Sequence, residues 1–296
     1  MMRLSVLIPV KNYTLVPFAK ELIDQLGQNL DEADFELLIA EDGSDSEHIE
    51  LNREANQLEG AKQLVLAEDI GRASVRNYLA TEANGDWLIF LDADSDIDSD
   101  FIANYLREIE KNEAEVIVGG TKYRDEMPAE GKLRWYYGKA REERSGSDRN
   151  KNPYNGFAAN NFAILKSTFE KVRFDEILTE YGHEDTVFGK ELQRKKVEIQ
   201  HIDNAVYHIG LETNSAFLDK SKIAVESLFN LWQSGKLKTR DSLLLQTYIK
   251  MKPFIPVLRF FEKGFEQNLI SATKPKIGYF DLLKLIWLYR ADKARS

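Results

Sequence analysis

Three stretches of this sequence place oxygen and nitrogen donors where apolar runs stop. WLIFL (87–91) is followed at once by Asp92, Ala93, Asp94, Ser95 and Asp96. FELLIA (35–40) runs into Glu41, Asp42, Gly43, Ser44 and Asp45, and LSVLI (4–8) into Pro9, Val10, Lys11 and Asn12. Carboxylates two residues apart on a strand end are hard donors for a divalent cation. Asp, Gly and Ser also form turns and cap helices, so one such loop says little. Its repetition at three strand ends points to a shared site. An EF-hand is excluded, because the position that needs glycine is Ile97 and the one that needs a bidentate glutamate is Ala103. A phosphatase with an aspartyl nucleophile expects Asp-x-Asp on the first strand, and here that strand meets Pro9. Neither a dinucleotide fingerprint nor a P-loop is present, so a bound diphosphate would need a cation held on Asp94.

The elements that must position these residues alternate. Strands are expected at 4–8, 35–40, 63–66 and 87–91, with helices at 15–29, 46–58 and 71–82. Alternation of this kind predicts an α/β fold, with right-handed crossovers and a mostly parallel sheet covered on both faces. In such sheets ligands sit beyond the carboxyl ends of the strands, where the polar loops above lie.

SVLIPVKN (5–12), EDGSD (41–45), GRASVRN (71–77) and WLIFLDAD (87–94), in that order, resemble the successive motifs of family 2 inverting glycosyltransferases with the GT-A fold. TEYGHEDTVFGKEL (179–192) is similar to the Glu-Asp segment on the acceptor side, and Val206-Tyr207-His208 continues the match. The resemblance implies a Rossmann-like nucleotide-diphospho-sugar transferase that moves a hexose or N-acetylhexosamine from a UDP-sugar to a glycan or lipid-linked glycan. Pro9 and Val10 would line the nucleoside pocket, Asn12 and Ala93 would bind the nucleotide sugar, and Asp42, with Glu41 beside it, would meet the uracil imide. Arg76 would approach the base or the diphosphate, unless it forms a helix-face ion pair with Glu82 or Glu41. Asp92 would face the ribose and a metal-bound water, and Asp94 would bind Mn or Mg directly.

Inverting transfer needs one base for the acceptor hydroxyl. Asp185 matches the family's base position, with Phe188, Gly189 and Leu192 as an apolar stripe behind it, although Glu184 and Asp185 also suit a helix N-terminus. His183 belongs to acceptor recognition or has no role in the site. His208 is either a hydrogen-bonded core histidine or, as in several relatives, a metal ligand; imidazole suits Mn better than Mg.

Residues 139–154 (KAREERSGSDRNKNPY) read as a mobile loop that brings Arg141 or Arg144 near the diphosphate or simply stays solvated. Asn160 and Asn161 mark sugar or acceptor contacts at the start of the strand NFAIL. The expected domains are 1–215, with a nucleotide-binding half to about 120 and an acceptor half over 121–215, and a helical extension over 216–296. Residues 248–296 carry a net charge of +6 and leave −15 for the rest. The basic amphipathic helices expected there either touch an anionic membrane or pack on protein.

Composition bounds the remainder. The 296 residues are 43% hydrophobic and 30% charged, enough for a substantial core. The absence of cysteine removes thiolate, disulfide and zinc-thiolate chemistry. A net charge of −9 argues against nucleic-acid binding. No apolar run is long enough to span a bilayer or read as a signal peptide, so a cytoplasmic location is expected, with peripheral contact on the inner membrane face if the tail binds lipid. The alternatives are another nucleotide-sugar enzyme such as a nucleotidyltransferase, or a catalytically silent binding module on the same fold.

Overall fold

The computed structural model describes residues 2–178 and 182–294. The chain forms two compact units, the first comprising Met1–Lys122, Glu143–Thr179 and Glu184–Gly210, the second Tyr123–Glu142, Glu180–His183 and Leu211–Ser296.

The first unit is built on a seven-stranded sheet. In chain order its strands are β1 (Leu4–Val10), β2 (Phe35–Asp42), β3 (Ala61–Leu66), β4 (Trp87–Leu91), β6 (Val116–Val118), β8 (Asn161–Leu165) and β9 (Ile199–His201). Their spatial order is β3-β2-β1-β4-β8-β6-β9. β3, β2, β1 and β4 are mutually parallel, and β8 runs antiparallel to both neighbours. A three-stranded sheet, β5 (Ser95–Asp96), β10 (Val206–His208) and β7 (Thr121–Lys122), stands beside the polar ends. The sheet expected from sequence is present. β1 and β2 extend two residues past their apolar runs, which places Val10 and Asp42 inside the ladder. Pro9 is tolerated because β1 pairs with β4 only as far as Leu7↔Phe90.

β4 reads as five consecutive apolar residues because both of its faces are covered. Leu4, Val6, Ile8, Ile89 and Leu91 pack on one side with Phe18, Leu22 and Tyr105. On the other side, Phe90 stacks on Phe162 at 4.8 Å within a cluster that also holds Phe169, Phe174 and Phe188. Phe174 and Phe188 stack at 4.2 Å. This cluster anchors the helix Glu184–Lys195 through the buried Phe188 and Leu192, as the apolar stripe predicted. Gly189 allows the approach, since a Cβ there would stand 2.6 Å from the Tyr154 carbonyl oxygen.

Residues 139–154 are folded and are not the loop expected. They include the end of the helix Lys132–Arg141, in the second unit, and the turn of helix Gly146–Arg149, in the first. Arg149 is buried and donates to the carbonyls of Gly119 (2.9 Å), Ile202 (2.6 Å) and Arg144 (2.9 Å). Its charge misleads a reading by polarity, because backbone carbonyls solvate a buried guanidinium. Gly120, at φ 92°, leaves the room: a Cβ there would sit 1.7 Å from an Arg149 nitrogen. Arg141 pairs with Asp281 at 2.6 Å, and Arg144 donates to the Asp148 carbonyl at 3.2 Å.

The second unit is helical, with Asn214–Gln233, Leu243–Met251, Ile255–Leu258, Glu262–Ser271 and Ile277–Ala294 following Lys132–Arg141. Among the described residues, no helix is long and apolar enough to cross a membrane.

Candidate active site

The carboxyl ends of β1, β2 and β4 carry the polar residues, and hydrogen bonds fasten the loops together. Asn12, at φ 49°, accepts through Oδ1 from the Asp45 N–H at 2.8 Å and donates its own N–H to Ser44 Oγ at 3.0 Å. Pro9 is half-buried and Val10 is buried beneath this junction. Lys11 reaches Asp69 at 2.5 Å.

The two acids at the end of β2 separate in role. Glu41 is fully buried and accepts from Asn52 (2.8 Å) and Gln63 (3.0 Å), so its side chain serves the interior. Asp42 accepts the Ile70 N–H at 2.7 Å. Burial raises its carboxyl above the usual range, with the Asp69 carboxylate adding to the effect, against the N–H groups of Ile70 and Gly71.

The helix Arg72–Glu82 begins after Gly71 at φ 89° and presents Arg72 and Arg76 one turn apart. Arg76 is buried and donates to Asp92 Oδ1 at 2.7 Å, with a second nitrogen 4.0 Å from Glu184. Neither Glu82 nor Glu41, the ion-pair partners weighed from sequence, is used. Arg72 stands 3.9 Å from the same Glu184 oxygen. The two arginines thus tie the β4 end to the helix carrying Glu184 and Asp185, a link whose only sequence signal is the four-residue spacing in GRASVRN.

Asp94 and His208 meet across the small sheet, Oδ2 to Nδ1, at 3.5 Å, with Ala93 buried behind them. Gly210 makes the approach feasible, because a Cβ there would stand 2.4 Å from Asp94 Oδ2. Burial acts to raise the Asp94 carboxyl, but His208 and Arg72 outweigh it and hold it below the usual range. Two donors sharing an ion through bonds of about 2.1 Å sit about 3.0–3.5 Å apart, so this pair fits a divalent cation. Among the described residues no group of three or more such side chains gathers, so the remaining positions would fall to diphosphate oxygens and water.

Asp185 accepts the N–H of Thr186 at 2.6 Å. Its carboxyl is pushed up to about 6 by burial and then by the neighbouring Glu184, against the bonds from Thr186 and the charge of Arg76. Adjacent carboxylates therefore differ in surroundings: Glu184 faces the guanidiniums of Arg72 and Arg76, and the Asp185 carboxyl is the one raised.

Other residues expected at the site have side chains engaged in bonds of their own. His183 Nε2 bonds the Ala224 carbonyl at 3.0 Å within the helical unit. Asn161 is buried, accepts from Tyr105 Oη at 2.6 Å and donates to the carbonyls of Gly120 and Asn204, so it holds β7 and β10 rather than a sugar. Asn160 donates to Thr121 Oγ1 at 2.8 Å. Thr121 pairs with Val206, so this network sets the strand that presents His208.

A family model described as Glycosyl transferase family 2 matches residues 5–172. Among solved structures, S. aureus TarS 1-349 has 16% identity and a TM-score of 0.53, over 99% of this chain and 91% of that one. The same protein in complex with UDP-GlcNAc has 15% identity and a TM-score of 0.52, over 99% and 91%. The mannosyltransferase PcManGT from Pyrobaculum calidifontis, in complex with GDP-Man and Mn2+, has 12% identity and a TM-score of 0.63, over 100% and 88%. At such identities the likeness establishes the fold. No curated protein matches the chain in sequence. With the sheet order, the polar strand ends and a family match over more than half its length, the chain belongs to glycosyl transferase family 2 and is a glycosyltransferase of the GT-A fold.

Proposed function

We propose that the protein transfers a hexose or N-acetylhexosamine from a UDP-sugar to a glycan or lipid-linked glycan, with inversion at the anomeric carbon. The observation that carries this reading is the Asp185 carboxyl, pushed up to about 6, at the start of the helix that Arg72 and Arg76 approach through Glu184. A carboxylate that gains a proton near neutral pH is suited to general-base work.

Residues up to about 120 hold the nucleotide: Asp42 accepts the uracil N3–H, Pro9 and Val10 support the base, and Asp92, fixed by Arg76, faces the ribose. The acceptor oxygen attacks the anomeric carbon from the face opposite the diphosphate. As the new C–O bond forms and the bond to the diphosphate breaks, the hydroxyl proton passes to Asp185. A divalent ion held by Asp94 and His208 would supply positive charge for the leaving diphosphate, and the imidazole favours Mn over Mg. TarS was solved with UDP and UDP-GlcNAc, which supports a uridine donor. A guanosine donor is the second reading, favoured by the likeness to PcManGT with GDP-Man and by the N1–H that guanine offers to the same carboxylate.

Nucleotide release from UDP-Glc, UDP-GlcNAc and GDP-Man, with Mn, with Mg and with chelator, tests the proposal. Turnover of a UDP-sugar that stops with chelator is expected. Turnover of GDP-Man alone would transfer the proposal to guanosine donors, and full turnover in chelator would remove the metal.

A further inference from the structure

The helical unit resolves the two readings of the basic tail differently along its length. The helix Ile277–Ala294 buries Phe280, Leu283, Leu285, Ile286, Trp287 and Leu288, so it packs on protein. Residues 254–261 do the opposite. Phe254 is 61% exposed, Val257 61%, Phe260 87% and Phe261 58%, while Ile255 is fully buried. Pro253 and Pro256 break this stretch into short turns. The four large exposed side chains fall within one short stretch of chain. Lys250, Arg259 and Lys263 are exposed around them. Of the two acids in residues 248–270, Glu262 is buried and paired with Arg290 at 2.5 Å, leaving Glu266.

We propose that this patch docks the protein on an anionic lipid bilayer, with Phe254, Val257, Phe260 and Phe261 entering the headgroup boundary and Lys250, Arg259 and Lys263 meeting lipid phosphates. Apolar side chains this exposed lose contact with water only against a partner. Charge selects which partner. Residues 1–247 carry −15 and are repelled by an anionic surface, so only the basic region turns towards it. A second copy is disfavoured, because a two-fold contact sets the same three cations against their equals.

The test is co-flotation with phosphatidylcholine vesicles with and without about one third phosphatidylglycerol, a composition in the range that lets basic segments bind. It contains no donor and no acceptor, so its failure leaves the glycosyl-transfer reading intact. Wild-type protein is expected to float with the anionic vesicles and to detach in high salt. The pair Phe254→Ser and Phe260→Ser is expected to lower partition by about tenfold or more, and Arg259→Glu with Lys263→Glu to abolish the preference for anionic lipid. Both pairs alter exposed side chains, and unchanged thermal unfolding confirms intact folds. No flotation of wild type, or flotation unaffected by both pairs, overturns the proposal. So does a concentration-dependent dimer, without flotation, that the two serines disperse.

Discussion

Arg76 donates to Asp92 at 2.7 Å and thereby fixes the helix Arg72–Glu82 to the end of β4, where the acid-Ala-acid motif begins. The guanidinium is buried, and Asp92 retains 30% of its side-chain exposure, so one carboxylate oxygen is held by Arg76 while the group stays partly open to solvent. Replacing Arg76 with Ala leaves Asp92 and Glu184 without this cation. A loss of about 2–3 kcal/mol is expected in urea unfolding, towards the low end for a broken buried pair because Asp92 is partly solvated. Arg72→Ala, whose side chain is 53% exposed, is expected to cost less than about 1 kcal/mol. Equal losses would show that Arg76 is not the residue that ties the two elements.

The Asp94–His208 pair predicts how metal and nucleotide depend on one another. UDP binding by calorimetry is expected to need Mn, and Asp94→Ala to remove that requirement together with most of the affinity. His208→Ala is expected to weaken Mn binding by about tenfold or more while the protein stays folded. Unchanged Mn affinity would make His208 a core residue of β10.

The carboxyl of Asp185, pushed up to about 6, predicts a pH limb. The base must be ionised, so kcat/KM is expected to fall as pH drops through about 6 and to be level above it. Because Glu184 is one cause of the raised value, Glu184→Gln is expected to move the limb to lower pH. Linkage gives a second sign. A carboxyl raised in the folded state binds its proton better there, so ionisation costs stability as pH rises from the unfolded value through about 6. Asp185→Asn is therefore expected to melt higher than wild type at pH 8 and to gain nothing at pH 4. A limb unmoved by Glu184→Gln would mean that burial alone sets the value.

Much of this was legible in the sequence for a local reason. β4 is five apolar residues followed at once by Asp92, and its shortness and the turn-forming residues that flank it favour a buried strand. The residues that carry charge inward were not legible. Glu41 and Asp42 are adjacent and chemically alike, yet Asn52 and Gln63, distant in sequence, engage only the first. Arg149 lies in a run of charged residues that reads as solvated, and only the carbonyls of Gly119 and Ile202 show why it is buried. Asn161, expected at a sugar or acceptor contact from its place at a strand start, has its donors and acceptor engaged by Tyr105, Gly120 and Asn204. Each miss is a long-range hydrogen bond that no window of sequence contains.

Asp185→Asn tests the central claim most directly, since it keeps size and shape and removes the proton acceptor. Transfer to a supplied acceptor, read as UDP release, is expected to fall by about two to four orders of magnitude with UDP affinity nearly constant. Glu184→Gln, the control, is expected to cost less. Near-normal turnover in Asp185→Asn would contradict the account and move the base elsewhere, and lost UDP binding would show that Asp185 holds the donor or the fold instead.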